Sequence, residues 1–172
     1  MYLYLIRHGI AVDLDTIDPT LHICDQDRPL TKVGRKRTEK VAEHLAISRI
    51  NFDIIITSPL VRAEQTANIL IEHQLSSRLL LCNDLAPEGT LRSWLAWWNL
   101  QSIYTQTANL ALVGHEPNLS EWAELLIFGS IQHKFMLKKG GMIGLKFPAG
   151  KIEIGTAQLH CLIPPKYMIT DK

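Results

Sequence analysis

Tyr2-Leu3-Tyr4-Leu5-Ile6-Arg7-His8-Gly9 is the stretch on which the reading of this chain turns. Tyr2 to Ile6 is a β-favouring apolar run stopped abruptly by Arg-His-Gly, the pattern of a buried strand that runs into a loop. Residues 12 to 30 carry five aspartates and two prolines with little periodicity, and predict a long loop. Thr31 to about Ile47 predicts a helix, with Val33, Val41, Ala42 and Leu45 inside and Arg35, Lys36, Lys40 and Glu43 outside. Thr31 suits the N-cap, although position 34 is Gly rather than the Glu of a capping box. Phe52 to Thr57, holding Ile54-Ile55-Ile56, predicts a strand covered on both faces. A helix from about Pro59 should follow it. Leu79 to Cys82 predicts a third strand, Leu91 to Ile103 a helix, and Asn109 to Val113 a fourth strand that ends at Gly114-His115. Asn118 to Phe128 predicts a helix; Gly141 to Phe147 and Lys151 to Ile163 predict strands joined at Pro148-Ala149-Gly150. The polar tail after Pro164-Pro165 is expected to be loosely held. Strands alternating with helices predict an α/β fold, a three-layer α/β/α sandwich with a mostly parallel central sheet, in one domain spanning 1–172.

Composition narrows the function classes. Apolar residues make up 47% and charged residues 20% of 172 positions, enough to bury a core without disulfide or metal staples. A net charge of +1 gives no electrostatic reason to expect nucleic acid or an anionic membrane as partner. Cys24, Cys82 and Cys161 are widely spaced and form no C-x-x-C pair, which argues against a disulfide framework or a zinc site and for a reducing compartment. The apolar run before Arg7 is too short for a signal peptide, and no stretch reaches the ~18 apolar residues a membrane span needs. A cytoplasmic location is the expectation.

Three strand-to-loop junctions carry the same kind of residue: Arg7-His8-Gly9, Ser58-Pro59 with Arg62 beyond, and Gly114-His115-Glu116-Pro117. Ligands of open α/β sheets bind at the carboxyl ends of strands, so two histidines and two arginines would converge there into a locally cationic pocket suited to a phosphoryl group. Each piece has a bland reading alone: Arg62 as a solvated helix residue paired with Glu64 or another neighbour, His115 as a loop histidine. Position is what raises the set above chance. His22, His44, His73, His133 and His160 read as structural or surface residues.

The motifs resemble those of the histidine phosphatase superfamily. Its R-H-G signature stands as Leu5-Ile6-Arg7-His8-Gly9. The supporting pieces are Arg28-Pro29-Leu30-Thr31-x-x-Gly34, Thr57-Ser58-Pro59-x-x-Arg62-Ala63-x-x-Thr66-Ala67 and Val113-Gly114-His115-Glu116-Pro117, in the family's order. The short length and the Arg62 to Thr66 segment are most similar to SixA-type phosphohistidine phosphatases. This resemblance implies a phosphoglycerate mutase-like fold and a phosphatase whose nucleophile is His8. Arg7, Arg62 and His115 would surround the phosphoryl oxygens, with Ser58, Gly9 and its loop as lesser contacts. The chemistry is consistent: a nucleophilic imidazole must be neutral, and adjacent arginines disfavour the imidazolium. One ring nitrogen must be pinned while the other attacks, and a backbone carbonyl near Gly9 is the expected partner. Arginine's planar fork matches phosphate oxygens and keeps its charge. No metal or cofactor is expected.

The proton donor is less defined. Many family members place an acid after the third strand; here Leu85-Ala86-Pro87-Glu88-Gly89 makes Glu88 the candidate, with a solvated loop acid as its bland reading and Asp13, Asp25 and Asp27 as weaker alternatives. Arg28 would either steer an anionic substrate or pair with Asp25 or Asp27. The spacing between Arg62 and His115 leaves no length for a lid, which favours an open site and a phosphorylated protein as substrate, as in two-component signalling. The competing readings are a small-molecule phosphomonoesterase and a non-catalytic phosphoprotein-binding module. Trp94, Trp97 and Trp98, at i, i+3, i+4, read as a core-facing stripe rather than a docking surface. Lys134, Lys138 and Lys139 form a modest basic cluster, read first as a solvated turn and second as a contact for a protein substrate.

Overall fold

The computed structural model describes residues 1–16, 24–101 and 108–169. Among them, six strands form one sheet: β1 (Tyr2–Arg7), β2 (Ile54–Thr57), β3 (Leu79–Leu81), β4 (Asn109–Gly114), β5 (Met142–Lys146) and β6 (Gln158–Ile163). Their order is β3-β2-β4-β1-β5-β6. The first four are mutually parallel; β5 runs antiparallel to β1, and β6 antiparallel to β5. Four helices flank the sheet: α1 (Lys32–Ile47), α2 (Val61–Glu72), α3 (Leu91–Asn99) and α4 (Asn118–Phe128).

The strand sequences alternate between two cores because successive side chains leave opposite faces. Leu3, Leu5, Ile54, Ile56, Leu110 and Leu112 pack with Trp94 and Trp98 of α3 and Trp122, Ala123 and Leu126 of α4. Tyr4, Ile6, Ile55, Ala111 and Val113 pack with Val41, Ala42 and Leu45 of α1 and Ala63, Ala67 and Leu70 of α2. A strand flanked on both faces has no polar face to show, which is why Ile54-Ile55-Ile56 runs unbroken. Each fully buried Leu or Ile contributes about 1.5–3 kcal/mol relative to exposure. Trp94 and Trp98 are fully buried and stack at 5.9 Å between ring centroids, while Trp97 packs half-buried at the edge of the same core.

Several expectations shift. Val33 is 61% exposed; the inner face of α1 is instead Gly34, Thr38, Val41, Ala42 and Leu45. Thr31 does cap α1, its Oγ1 accepting from the Gly34 N–H at 2.8 Å. Gly34 is needed there for space: a Cβ would lie 2.0 Å from the Ile10 carbonyl oxygen, so the helix backs directly onto the loop after Gly9. Helix α3 stops at Asn99, and Ile103 lies outside the described residues. β6 begins at Gln158 rather than Lys151, after a turn with Gly155 at φ +75°. Of the segment after Pro164, the described residues are held rather than loose: Pro165–Tyr167 forms a short 3-10 turn and Met168 is 1% exposed in the core, while residues 170–172 lie outside the described residues. In the long first loop, Leu14–Thr16 and Asp25–Asp27 form 3-10 turns and Ala11 bridges Leu30, while His22 falls outside the described residues.

What aligns the site is register. β4 lies between β1 and β2, with Val113 opposite both Ile6 and Thr57. The ladder continues past the strands: His8 N–H donates to the Gly114 carbonyl at 3.1 Å and Ser58 N–H to the Val113 carbonyl at 3.0 Å. His8, Ser58 and His115 therefore leave three neighbouring strands at one level.

Candidate active site

His8 is 6% exposed, and its Nδ1 lies 2.7 Å from the Gly9 carbonyl oxygen. A carbonyl only accepts, so Nδ1 carries the ring proton and Nε2 keeps its lone pair. Burial, foremost, pushes the His8 pKa down to about 3; the Gly9 hydrogen bond opposes this, and His115, Arg62 and Arg7 add to it. The ring is therefore neutral and pinned, as a nucleophile requires.

The loop holding His8 is tied on two sides. Gly9 N–H donates to Thr66 Oγ1 at 3.0 Å, and Thr66 Oγ1 donates to the Arg62 carbonyl at 2.8 Å. Thr66 stands one helical turn after Arg62, so α2 fixes the arginine and the nucleophile's loop together. On the other side, Gly140 N–H reaches the carbonyls of Arg7 at 3.0 Å and His8 at 3.1 Å, and Arg7 N–H donates to the Gly141 carbonyl at 3.1 Å.

His115, 3% exposed, faces His8 with ring centroids 5.1 Å apart. Its Nε2 is 2.8 Å from Ser58 Oγ, which also accepts from Leu60 N–H at 3.3 Å. The Ser58 hydroxyl is assigned as the donor to His115 Nε2, which leaves Nδ1, the ring nitrogen without a partner among the described residues, to hold the imidazole proton. Burial first, then Arg62, pushes the His115 pKa down to about 4, against the pull of Asp25 and with smaller help from Arg7 and Arg28. Two neutral imidazoles beside two cations form a pocket with positive charge and no acidic protons.

Arg62, 4% exposed, donates from NH1 to the Asp25 backbone carbonyl at 2.6 Å and from NH2 to Asp25 Oδ2 at 2.9 Å. Asp25 also binds Arg28, through Nε at 2.9 Å and NH2 at 2.6 Å, and Arg28 NH1 donates to the Val12 carbonyl at 2.8 Å. Of the two readings for Arg28, the structure thus shows the pairing with Asp25. Burial nudges the Asp25 carboxyl upward, but the hydrogen bonds and charges of Arg28 and Arg62 hold it below its usual range. The Asp25 carboxylate is thus engaged by two guanidinium groups. Arg7 donates from NH1 to the Leu137 carbonyl at 2.8 Å; burial lowers its pKa and the nearby Glu116 carboxylate opposes that.

Arg7 Nε, Arg62 Nε and His115 Nδ1 are buried without a hydrogen-bond partner among the described residues. A buried polar group without a partner costs about 1–3 kcal/mol, so three around one imidazole mark a place for an acceptor-rich ligand. Glu88 is exposed and shares with Asp25, Cys24, Gln26, Leu60 and Pro87 a cleft of about 340 Å³ on the Arg62 side. No group of three or more His, Cys, Asp or Glu is placed to hold a metal ion among the described residues. Two contributors escaped the sequence reading of the site: Thr66 was legible only as a motif letter and Glu116 only as the residue before Pro117. Asp25 was read as an alternative proton donor and as a partner for Arg28, but not as the anchor of Arg62. Glu116 accepts from Ser120 Oγ at 2.9 Å, and burial raises its pKa against the pull of Ser120 and Arg7.

Comparison with known proteins agrees with this geometry. Residues 3–85, which include Arg7, His8, Ser58 and Arg62, match the model of the histidine phosphatase superfamily (branch 1). An uncharacterised protein of Picosynechococcus sp. is 42% identical over 170 residues, 98% of this chain and 99% of that protein. The protein histidine phosphatase SixA, solved with tungstate, shares the fold at a TM-score of 0.79 and 22% identity, over 98% of this chain and 99% of its own. The alpha-ribazole phosphatase of Shigella flexneri does so at 0.69 and 18% identity, over 96% and 97%. With the family model matched over residues 3–85 and the fold shared with SixA over the whole frame, the chain belongs to the histidine phosphatase superfamily.

Proposed function

We propose that this phosphatase hydrolyses phosphohistidine on a protein, through a covalent phosphohistidine on His8. The observation that carries the reading is the buried, neutral His8 ring with Nδ1 held on the Gly9 carbonyl and unpartnered donors of Arg7, Arg62 and His115 around it. In the first step the Nε2 lone pair attacks phosphorus, and the bond from phosphorus to the substrate imidazole breaks. The electron pair leaves with that imidazole nitrogen, which takes up a proton. In the second step water attacks phosphorus and the P–Nε2 bond breaks, returning neutral His8 and releasing phosphate. Arg7 and Arg62 carry the charge on the transferring oxygens, and His115 Nδ1–H donates to them; fixed donors of this kind supply most of the rate in phosphoryl transfer. Ser58 acts through His115, setting its tautomer. Gly9 acts through its carbonyl. Arg28 acts through Asp25, away from the substrate.

A protein substrate is favoured by the connection between α2 and β4, which among the described residues holds β3, a 3-10 turn and α3 and no further helix, and by the likeness of fold to SixA. The test is chemical. The enzyme is incubated with a labelled phosphohistidine protein, quenched within milliseconds, and mapped for acid-labile, base-stable label. Label on His8, absent in His8→Ala together with turnover, is the expected result. Unchanged turnover in His8→Ala defeats the mechanism; equal or faster turnover of small phosphoesters by the native enzyme defeats the protein substrate and favours a phosphomonoesterase.

A further inference from the structure

Beside the phosphoryl site, on the side of Arg7, lies a cleft of about 620 Å³ lined by Arg7, Ile10, Arg37, Lys138, Lys139, Pro164, Pro165 and Lys166. Five of these are cations and none is an acid, on a chain whose formal net charge is only +1. Lys138, Lys139, Arg37 and Lys166 are exposed, and none forms a salt bridge with a carboxylate among the described residues. The Lys138 ammonium sits 3.1 Å from Met136 Sδ, and the Lys166 ammonium lies 4.7 Å from the Tyr167 ring centroid. Like charges gathered without counter-ions repel one another, so this wall is complementary to an anionic partner.

We propose that this cleft is the docking subsite for an acidic segment of the phosphorylated protein substrate. The inference rests on the phosphoprotein reading above and says how that protein is recognised. Three features favour it over a solvated turn.

First, the wall is built. Gly141 N–H donates to the Lys138 carbonyl at 2.7 Å, Gly140 is tied to the carbonyls of Arg7 and His8, and Arg7 NH1 holds the Leu137 carbonyl. The two lysines are thereby fixed to the nucleophile's own loop. Upstream, Glu124 of α4, 1% exposed, accepts from the backbone N–H groups of Gln132, His133, Lys134 and Phe135. Those bonds outweigh burial and hold its pKa below the usual range, so a buried carboxylate anchors the segment that leads into the lysines. Downstream, buried Met168 anchors the turn carrying Lys166. Second, Arg7 lines the cleft and its charge acts on His8, so an occupant of the cleft and a phosphoryl group over His8 would meet the same guanidinium. Third, the free cations come from three elements, α1, the 137–141 segment and the 165–167 turn, around an apolar floor of Ile10, Pro164 and Pro165. Dispersed charges over an apolar floor suit several carboxylates spread along a polypeptide better than one compact anion.

The test compares two substrates in the Lys138→Gln, Lys139→Gln, Lys166→Gln triple variant, which leaves Arg7 untouched. One is a phosphohistidine protein of net negative charge; the other is phosphoimidazole. Removing steering charges is expected to lower kcat/KM on the acidic protein roughly 10–100-fold, mostly through KM, and to flatten its dependence on ionic strength. Turnover of phosphoimidazole should stay as in the native enzyme. Equal losses on both substrates, or full activity on the protein, overturn the docking subsite alone. A native enzyme that hydrolyses phosphoimidazole and ignores the phosphoprotein overturns the phosphoprotein reading and the subsite with it.

Discussion

Arg7 and Arg62 both act on the His8 imidazole, yet the protein holds them by opposite means. Arg7 extends from the last position of β1 and is anchored by a neutral acceptor, the Leu137 carbonyl. Arg62 sits in the first turn of α2 with both terminal nitrogens directed at Asp25, one to its backbone and one to its carboxylate. The first arginine makes no salt bridge among the described residues, and the Glu116 carboxylate acts on it only through space. The second is aimed by an anion that an incoming phosphoryl group must share or displace. Orientation by a carboxylate is stronger than by a carbonyl, but it opposes the very charge the site binds. The surroundings follow the same division: the Arg7 side opens on lysines, the Arg62 side on Asp25 and Glu88.

The broadest way to break this comparison is to remove each arginine. Arg7→Ala and Arg62→Ala should each lower kcat/KM on any phosphorylated substrate by about 10²–10³-fold, the scale of one lost transition-state donor. They should differ in stability. Arg62→Ala leaves Asp25 with Arg28 alone and unties the 25–27 turn from α2, so its melting temperature should fall further than that of Arg7→Ala. Calorimetry alongside kinetics reads both. Equal melting temperatures would mean that the Asp25 bridge holds nothing in place.

Asp25→Asn sharpens the comparison from the other partner. The amide keeps the shape and weakens the hold on Arg62, freeing the guanidinium for an oxyanion. Vanadate should bind several-fold more tightly, and the melting temperature should drop by a few degrees as a buried arginine loses its counter-charge. Isothermal titration measures the first and calorimetry the second. Unchanged vanadate affinity would show that Asp25 does not compete with the anion.

Protonation offers a further probe, because both cations press on the same two rings. Unfolded, His8 and His115 take up protons near pH 6.5; folded, they do so only near pH 3 and pH 4. Between these limits the unfolded chain binds more protons, so this part of the stability is intact above pH 6.5 and is lost as pH falls toward 3. The melting temperature should decline across that window, and the ring resonances of His8 and His115 should show no titration above about pH 5. A His8 midpoint near 6.5 by NMR would mean that the site is wetter and less cationic than its geometry implies.

The strands and most helices were legible because their signals are local: an unbroken Ile54-Ile55-Ile56 run, a cap at Thr31, tryptophans at helical spacing. His8, Arg7, Arg62 and His115 were legible because strand ends in a parallel sheet share one edge, so motif order becomes proximity. The hold of Asp25 on Arg62 was not, since it forms only when the loop folds back onto α2, a contact between residues 37 positions apart. Val33 misled because its spacing suits the helix face, while Gly34, lacking a Cβ, is what allows the close approach. Lys138 and Lys139 read as a turn because nothing local says that Gly140 and Gly141 are bonded to the nucleophile's loop.

Glu88 gives the smallest expected effect, and the effect depends on the bond being cut. It is exposed in the cleft shared with Asp25, whose carboxylate is engaged by Arg28 and Arg62, so the proton-donor role is tested on Glu88. A general acid contributes about 10²–10⁴-fold when the leaving group is a poor one. An alkoxide needs that proton; an imidazole leaving from phosphohistidine accepts one readily from water. Glu88→Gln should therefore change turnover of a phosphohistidine protein by less than about threefold, yet slow a simple phosphoester by at least tenfold. Parallel assays of the variant on the two substrates measure the ratio. Equal, large losses on both would make Glu88 an obligatory proton donor and weaken the link between this site and a P–N bond.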